Sequence, residues 1–194
     1  MTRRTGSYRW QSRETEITCT VDLEGGPVEV TTNHPLLTHF LTALARHGML
    51  GLMFLGQGDV EVDPHHLVED AGRSLGEALT AALGDRAGIE RAGFWLMPMD
   101  ECLVRVALDL SGRAHAVVEG FGTDPVGGAT GEAWTGFFWG LARGARANLH
   151  VDLVRGGGAH HAWEAAFKAT GRAIRQACRP VDSPEPLSTK GQLR

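Results

Sequence analysis

The sequence predicts an α+β fold: an internally duplicated two-layer α/β sandwich, one layer of sheet packed on one layer of helix. Three observations predict it. First, His65-His66-Leu67-Val68-Glu69 returns as His160-His161-Ala162-Trp163-Glu164, and both copies run on into helical stretches in which Ala71 matches Ala166 and Gly76 matches Gly171. Second, residues 38–46 lie over residues 135–143, with Phe40 on Phe137, Leu44 on Leu141 and Ala45-Arg46 on Ala142-Arg143. Third, the order is the same in both halves: an amphipathic helix, a short strand, then the His-His-x-x-Glu helix. Internal self-similarity marks a duplicated unit, and strands and helices that are apolar on one side bury that side against each other. The boundary falls near Gly93, giving a first half over 1–93, a second over 94–180 and a tail over 181–194, within one structural domain.

The elements follow in chain order. Residues 17–23 and 28–31 alternate as strands do and are split by the Gly25-Gly26 turn signal. Residues 35–47 carry helical periodicity, with Gly48 as the stop. Residues 49–62 are strand-like, interrupted at Gly56-Gln57-Gly58. Asp63-Pro64 then reads as an N-cap with proline in the first turn, opening a helix to about residue 83. In the second half, strands are expected over 94–110 and 114–119, joined by Ser111-Gly112-Arg113. A helix over 132–145, a strand over 148–154 and a helix over 159–178 complete it. The tail after Pro180 is rich in proline, serine and charge and has no periodicity.

Composition excludes several classes. At 194 residues the chain is long enough to bury a proper core, and 42% hydrophobic with 22% charged residues is an ordinary globular balance. A formal charge of −4 provides no general basic field, which argues against nucleic acid as a partner. The longest apolar run, around residues 49–55, fits a buried strand and is too short to span a membrane. The polar N-terminus lacks a signal core, and three widely spaced cysteines do not make a disulfide framework, so the expected setting is the cytoplasm. The unusual feature is nine histidines, four of them in the two adjacent pairs.

Those pairs point to metal. On a helix, residues four apart share a face while neighbours diverge by about 100°. His65 with Glu69, and His160 with Glu164, can each address one ion, whereas His66 and His161 must look elsewhere. The bland alternative is the polar face of a surface helix, which a single short motif does not exclude. Duplication with both histidine pairs and both glutamates retained favours metal. All the donors are nitrogen or oxygen, which suits Mn, Fe, Co or Zn without thiolate.

Taken together, several segments resemble the imidazoleglycerol-phosphate dehydratase family. They are His39-Phe40-Leu41 with Ala45-Arg46-His47-Gly48, and His65-His66-x-x-Glu69-Asp70-x-Gly72. Gly88-Ile89-Glu90-Arg91, Pro98-Met99-Asp100-Glu101 and Asp109-Leu110-Ser111-Gly112-Arg113 follow. Leu149-His150, His160-His161-x-x-Glu164-Ala165-x-Phe167-Lys168-Ala169 and Ser188-Thr189-Lys190-Gly191 complete the set. The resemblance runs from about Glu14 to Gly191. It implies ferredoxin-like halves of the ribosomal protein S5 domain 2-like kind, assembled into a 24-subunit particle with active sites shared between subunits. It implies a metal-dependent lyase that dehydrates imidazoleglycerol phosphate to imidazole acetol phosphate in histidine biosynthesis, with no organic cofactor. Two Mn2+ ions would be held by His39, His65, His66, Glu69, His160, His161 and Glu164. Glu14 would stand beside the reacting carbon, with Glu69 and Glu164 as the other catalytic carboxylates. His47, Arg91, Arg113, Lys168, Ser188, Thr189 and Lys190 would line the site of the small phosphorylated imidazole substrate, the tail contributing to it. His150, on a strand, is expected to be a core or supporting residue.

Three positions depart from the family pattern. Gly136 stands where the second-half counterpart of His39 is His or Glu, so the second metal site loses a ligand; Glu132, one turn earlier, is the nearest replacement. Thr38 precedes His39 where the family has Asp, and Pro64 replaces Asp before the first histidine pair. Two rival readings follow. One is a divergent member with an impaired second metal site that serves as a binding or assembly protein. The other is a binuclear metal hydrolase, which leaves Arg91, Arg113 and Lys190 unexplained.

Overall fold

Both halves fold to the same β-β-β-α-β-α order in the computed structural model, which describes residues 3–183 and 185–189. The first half comprises β1 (Thr5–Gln11), β2 (Thr15–Asp22), β3 (Val28–Thr32), α1 (Pro35–Gly48), β4 (Gly51–Gly58) and α2 (Pro64–Leu83). The second comprises β5 (Ala92–Met99), β6 (Cys102–Asp109), β7 (His115–Glu119), α3 (Gly131–Ala145), β8 (Asn148–Arg155) and α4 (Ala159–Ala177). The sheets run β1-β2-β4-β3 and β5-β6-β8-β7. In each, the first two pairings are antiparallel and the last is parallel. The duplication read from the motifs therefore extends to strand order and direction.

Alternation decides which face of each sheet is covered. Thr15, Ile17, Cys19 and Val21 of β2 point inward, as do Cys102, Val104, Val106 and Leu108 of β6. Helices lie on those faces: α2 on β1 and β2, α1 on β3, α4 on β5 and β6, and α3 on β7. Each half is thus the two-layer sandwich expected. The halves then meet helix to helix, α2 on α3 and α1 on α4, with the sheets outside. Small residues allow the approach. A Cβ added at Gly72 of α2 would overlap the Phe137 carbonyl of α3, and one at Gly48 would lie 2.8 Å from the Gly171 carbonyl oxygen of α4.

An aromatic cluster fills the centre of the helical layer. The Phe40 ring sits 4.9 Å from Phe167 and 5.0 Å from Trp134, and Phe137 lies 4.4 Å from Phe167. Arg86 is buried at the C-terminal end of α3, donating to the carbonyls of Leu110 (3.0 Å), Arg146 (3.1 Å) and Ala145 (2.7 Å). Its guanidinium therefore closes the end of α3 with groups that would otherwise be unpaired. Among the described residues, no helix is long and apolar enough to cross a membrane.

The structure differs from the sequence expectation at four places. β1 forms where no strand is expected. The run over 94–110 is a hairpin, turned at Asp100 with φ 48°. β4 ends at Gly58 rather than continuing to 62, because the chain turns tightly there, Val62 N–H donating to the Asp59 carbonyl at 2.8 Å. Gly48 does not stop α1: Met49 takes the left-handed cap at φ 51°, and Gly48 is glycine because Gly171 packs on it.

Candidate metal centre

α1 and α4, one from each half, bring His39 beside His160 and Glu164. His160 and Glu164 are one turn apart on α4, with Nε2 3.2 Å from Oε2. His39 Nε2 reaches the same oxygen at 3.3 Å, and the two imidazoles stack at 6.0 Å. The donor atoms of all three residues lie within 4.8 Å of one another. Phe40 backs the group, its ring 5.7 Å from His160, so the donors sit on the rim of the aromatic core. The other Glu164 oxygen takes Lys168 Nζ at 2.7 Å. Burial alone would push the Glu164 carboxyl up, but the hydrogen bonds from Lys168 and His39 and their charges outweigh it and hold it below the usual carboxylate range. His47 lies near this cationic group: burial, then the charges of Lys168 and Arg172, hold its pKa below the ordinary histidine value.

The corresponding group of the first half's second helix lies between α2 and α3. His65 Nε2 is 3.3 Å from Glu69 Oε2, and Arg143 of α3 stands 3.8 Å from the other Glu69 oxygen. Where α1 supplies His39, α3 presents Gly136. A Cβ built on it would be 3.7 Å from His65 Nε2 and 3.6 Å from the Glu69 Cβ. Glu132 joins no such donor group among the described residues.

The second histidine of each pair faces away, as the 100° rule requires. His66 Nδ1 pairs with Asp59 at 3.1 Å, and that hydrogen bond, helped by the charges of Glu14, Asp59 and Asp63, raises its pKa against burial. His161 Nδ1 lies 3.2 Å from both Glu101 oxygens and 3.8 Å from Asp100. The Glu101 carboxyl is held down to about 2, chiefly by the Gly158 N–H at 2.5 Å, then by its own N–H and by His161. Asp59, Asp100 and Glu101 also meet these histidines; Asp100 and Glu101 stand in a segment of the resemblance without being expected as site residues, and Asp59 stands in none. The repeat could have found one of them. Glu14 immediately precedes β2 and Glu101 immediately precedes β6, so the two occupy the same place in their halves.

Glu14 lies exposed in the β1–β2 turn, its N–H donating to Ser12 Oγ at 3.1 Å. A cavity of about 380 Å³ opens there, lined by Glu14, Asn33, Gln57 and Asp59 among others. The phosphate-type residues are elsewhere. Arg91 forms a two-pronged pair with Asp109 (2.7 and 2.9 Å) and donates to the Leu187 carbonyl, drawing the tail to the start of β5. Arg113 is exposed in the turn before β7. Ser188 and Thr189 follow in the tail, and Lys190 lies outside the described residues. Arg91 and the hairpin that touches His161 stand at opposite ends of β5, roughly 30 Å apart at about 3.3 Å per residue. One chain therefore gathers His39, His160, Glu164, Lys168 and His47 in one place, and Arg91 and the tail in another. His150 is exposed on β8 rather than in the core, its ring 6.4 Å from His115.

Fold and site together describe an α+β protein of duplicated halves, with histidine–carboxylate groups near the starts of corresponding helices. The family model for imidazoleglycerol-phosphate dehydratase matches residues 32–174. Imidazoleglycerol-phosphate dehydratase from Deinococcus radiodurans is 46% identical over 98% of this chain and 99% of its own length. The one from Heliobacterium modesticaldum is 48% identical over 98% and 100%. The crystal structure of the protein from Pyrococcus furiosus superposes with a TM-score of 0.85 at 38% identity, covering 96% of this chain and 100% of that one. The Staphylococcus aureus structure gives 0.81 at 31% identity, over 91% and 99%. The chain belongs to the imidazoleglycerol-phosphate dehydratase family. It is thus an enzyme of the hydro-lyase class, in histidine biosynthesis, on the fold expected from the repeat.

Proposed function

We propose that the chain dehydrates imidazoleglycerol phosphate to imidazole acetol phosphate with Mn2+ as its metal, working as an assembly of identical subunits in the cytoplasm. The meeting of His39 with His160 and Glu164 carries the metal reading. Two imidazoles and one carboxylate converge from different halves, with no thiol among them, and that set suits a divalent ion of the Mn type. When bound, such an ion supplies Lewis acidity and fixes the substrate's orientation.

The chain's own groups do the rest. Glu14 takes the proton from the carbon adjacent to the one bearing the imidazole ring. The hydroxyl leaves the ring-bearing carbon, and the enol so formed ketonises. Arg91, Arg113, Lys168, Ser188, Thr189 and Lys190 hold the phosphate, guanidinium forks giving direction and lysine a point charge. His47 lines the same pocket.

The geometry of the single chain supports a reading in which the protein self-associates. A substrate of this size cannot bridge the roughly 30 Å between Arg91 and the His161 hairpin along β5, so a complete site draws on neighbouring copies. His66 and His161, turned away from Glu69 and Glu164, are then donors for another subunit's ions. The outer sheet faces carry Met53, Leu55, Phe94 and Leu96, each more than half exposed, as a surface that is buried in an assembly would. The proposed particle has 24 subunits. Cys19, Cys102 and Cys178 are buried and unpaired, in keeping with a reducing setting.

Stripping the protein with a chelator and assaying it with and without Mn2+ tests this reading. Turnover is expected only with metal, and light scattering should show the large particle giving way to smaller species on chelation. Mn-loaded protein that forms no imidazole acetol phosphate overturns the proposal.

A further inference from the structure

The two donor groups are built on the same plan, so each serves as a control for the other. His160 and Glu164 correspond to His65 and Glu69, and His39 on the opposing helix corresponds to Gly136. Each carboxylate has one cation beside its outer oxygen, Lys168 at 2.7 Å from the more buried Glu164 and Arg143 at 3.8 Å from the more exposed Glu69. In donor atoms, the difference is the third arm.

Packing does not explain the glycine there. On α3, a Cβ at Gly140 would overlap the Glu69 carbonyl and one at Gly144 the Arg73 carbonyl, so both must be glycine for α2 to lie close. A Cβ at Gly136 would make only ordinary contacts of 3.6 and 3.7 Å, against the very residues that would hold the ion. Its φ is helical, and glycine is a poor helix former. Position 136 thus admits a side chain aimed at His65 and Glu69, and has none.

We infer that the two groups bind metal unequally: one ion tightly at His39, His160 and Glu164, and a second, much more weakly, at His65 and Glu69. The inference rests on the metal reading above and goes beyond it. Mispositioning a ligand through its outer partner already lowers metal affinity 10–100-fold, so losing a donor outright weakens the second site by at least about tenfold relative to the first.

Manganese titration of the metal-stripped full-length protein, with free Mn2+ counted by electron paramagnetic resonance, tests it. The natural protein should show two classes of bound Mn2+ per chain, the weaker by about tenfold or more. Gly136→His should bring the weak class towards the tight one. Gly136→Ala, which adds a Cβ without a donor, should leave the gap as it was. His39→Ala should weaken the tight class alone. Two equal classes in the natural protein, or Gly136→His behaving like Gly136→Ala, overturns the inequality and leaves the metal reading standing. No bound Mn2+, or a tight class indifferent to His39→Ala, overturns the metal reading itself and the inequality with it.

Discussion

Glu164→Gln is expected to lower Mn2+ affinity at the α1–α4 group by at least about a hundredfold, since that is the upper end of what losing a ligand's supporting partner alone costs. Turnover should fall with it. Glu164 is the common partner of the group: one carboxylate oxygen meets both His39 and His160, and the other meets Lys168. The amide keeps the shape, and its oxygen still accepts from Lys168, but the negative charge that draws a cation is gone. The fold should persist, because the residue lies on the rim and not in the aromatic cluster. Calorimetric Mn2+ titration beside a circular dichroism melt checks both halves of this expectation. Near-natural affinity with an unchanged melt would remove Glu164 from the metal centre.

Gly72→Ala should instead destabilise the fold. Helix propensity by itself favours alanine by about 1 kcal/mol. Against that, the new Cβ would overlap the Phe137 carbonyl, which belongs to the backbone of α3 and cannot rotate away. The helices must separate, and overpacking of this kind costs about 1–3 kcal/mol, more where backbone is struck. The steric cost wins, and a net loss of about 2 kcal/mol in a chain of this length should lower the melting temperature by roughly 4–8 °C. The same change at Gly136 meets no such obstacle and should be neutral or mildly stabilising. If Gly72→Ala raised the melting temperature, α2 and α3 would not be in the close contact described.

The contrast shows what was legible in the sequence. The His-His-x-x-Glu repeat is a local signal, five consecutive residues on one helix, and it marks the duplication, the helix starts and both His–Glu pairs. Asp63 caps α2 as its position before proline suggests, accepting from the His65 N–H at 2.8 Å. The correspondence of Gly136 with His39 was legible too, because it follows from counting along two matched helices. Contacts between elements were not. β1 escaped notice because it buries little of its own: Gly6 is its one fully buried residue, and it is buried only because α2 lies on it. Gly48 reads as a helix stop in isolation and is a helix-packing residue once Gly171 is placed against it. Asp59 and Glu101 reach their histidines from a loop and a hairpin, across spacings no motif records. The separation of Arg91 from the histidines along β5 appears only when strand direction is known. It is what turns a list of expected site residues into an argument for shared sites.

Anomalous diffraction at the manganese edge, on crystals grown from Mn-loaded protein, would show which side chains hold each ion. A strong peak is expected among His39 Nε2, His160 Nε2 and Glu164 Oε2, and a weaker one beside His65 and Glu69. Crystals of catalytically active protein with no manganese peak at the first position would contradict the proposed metal centre.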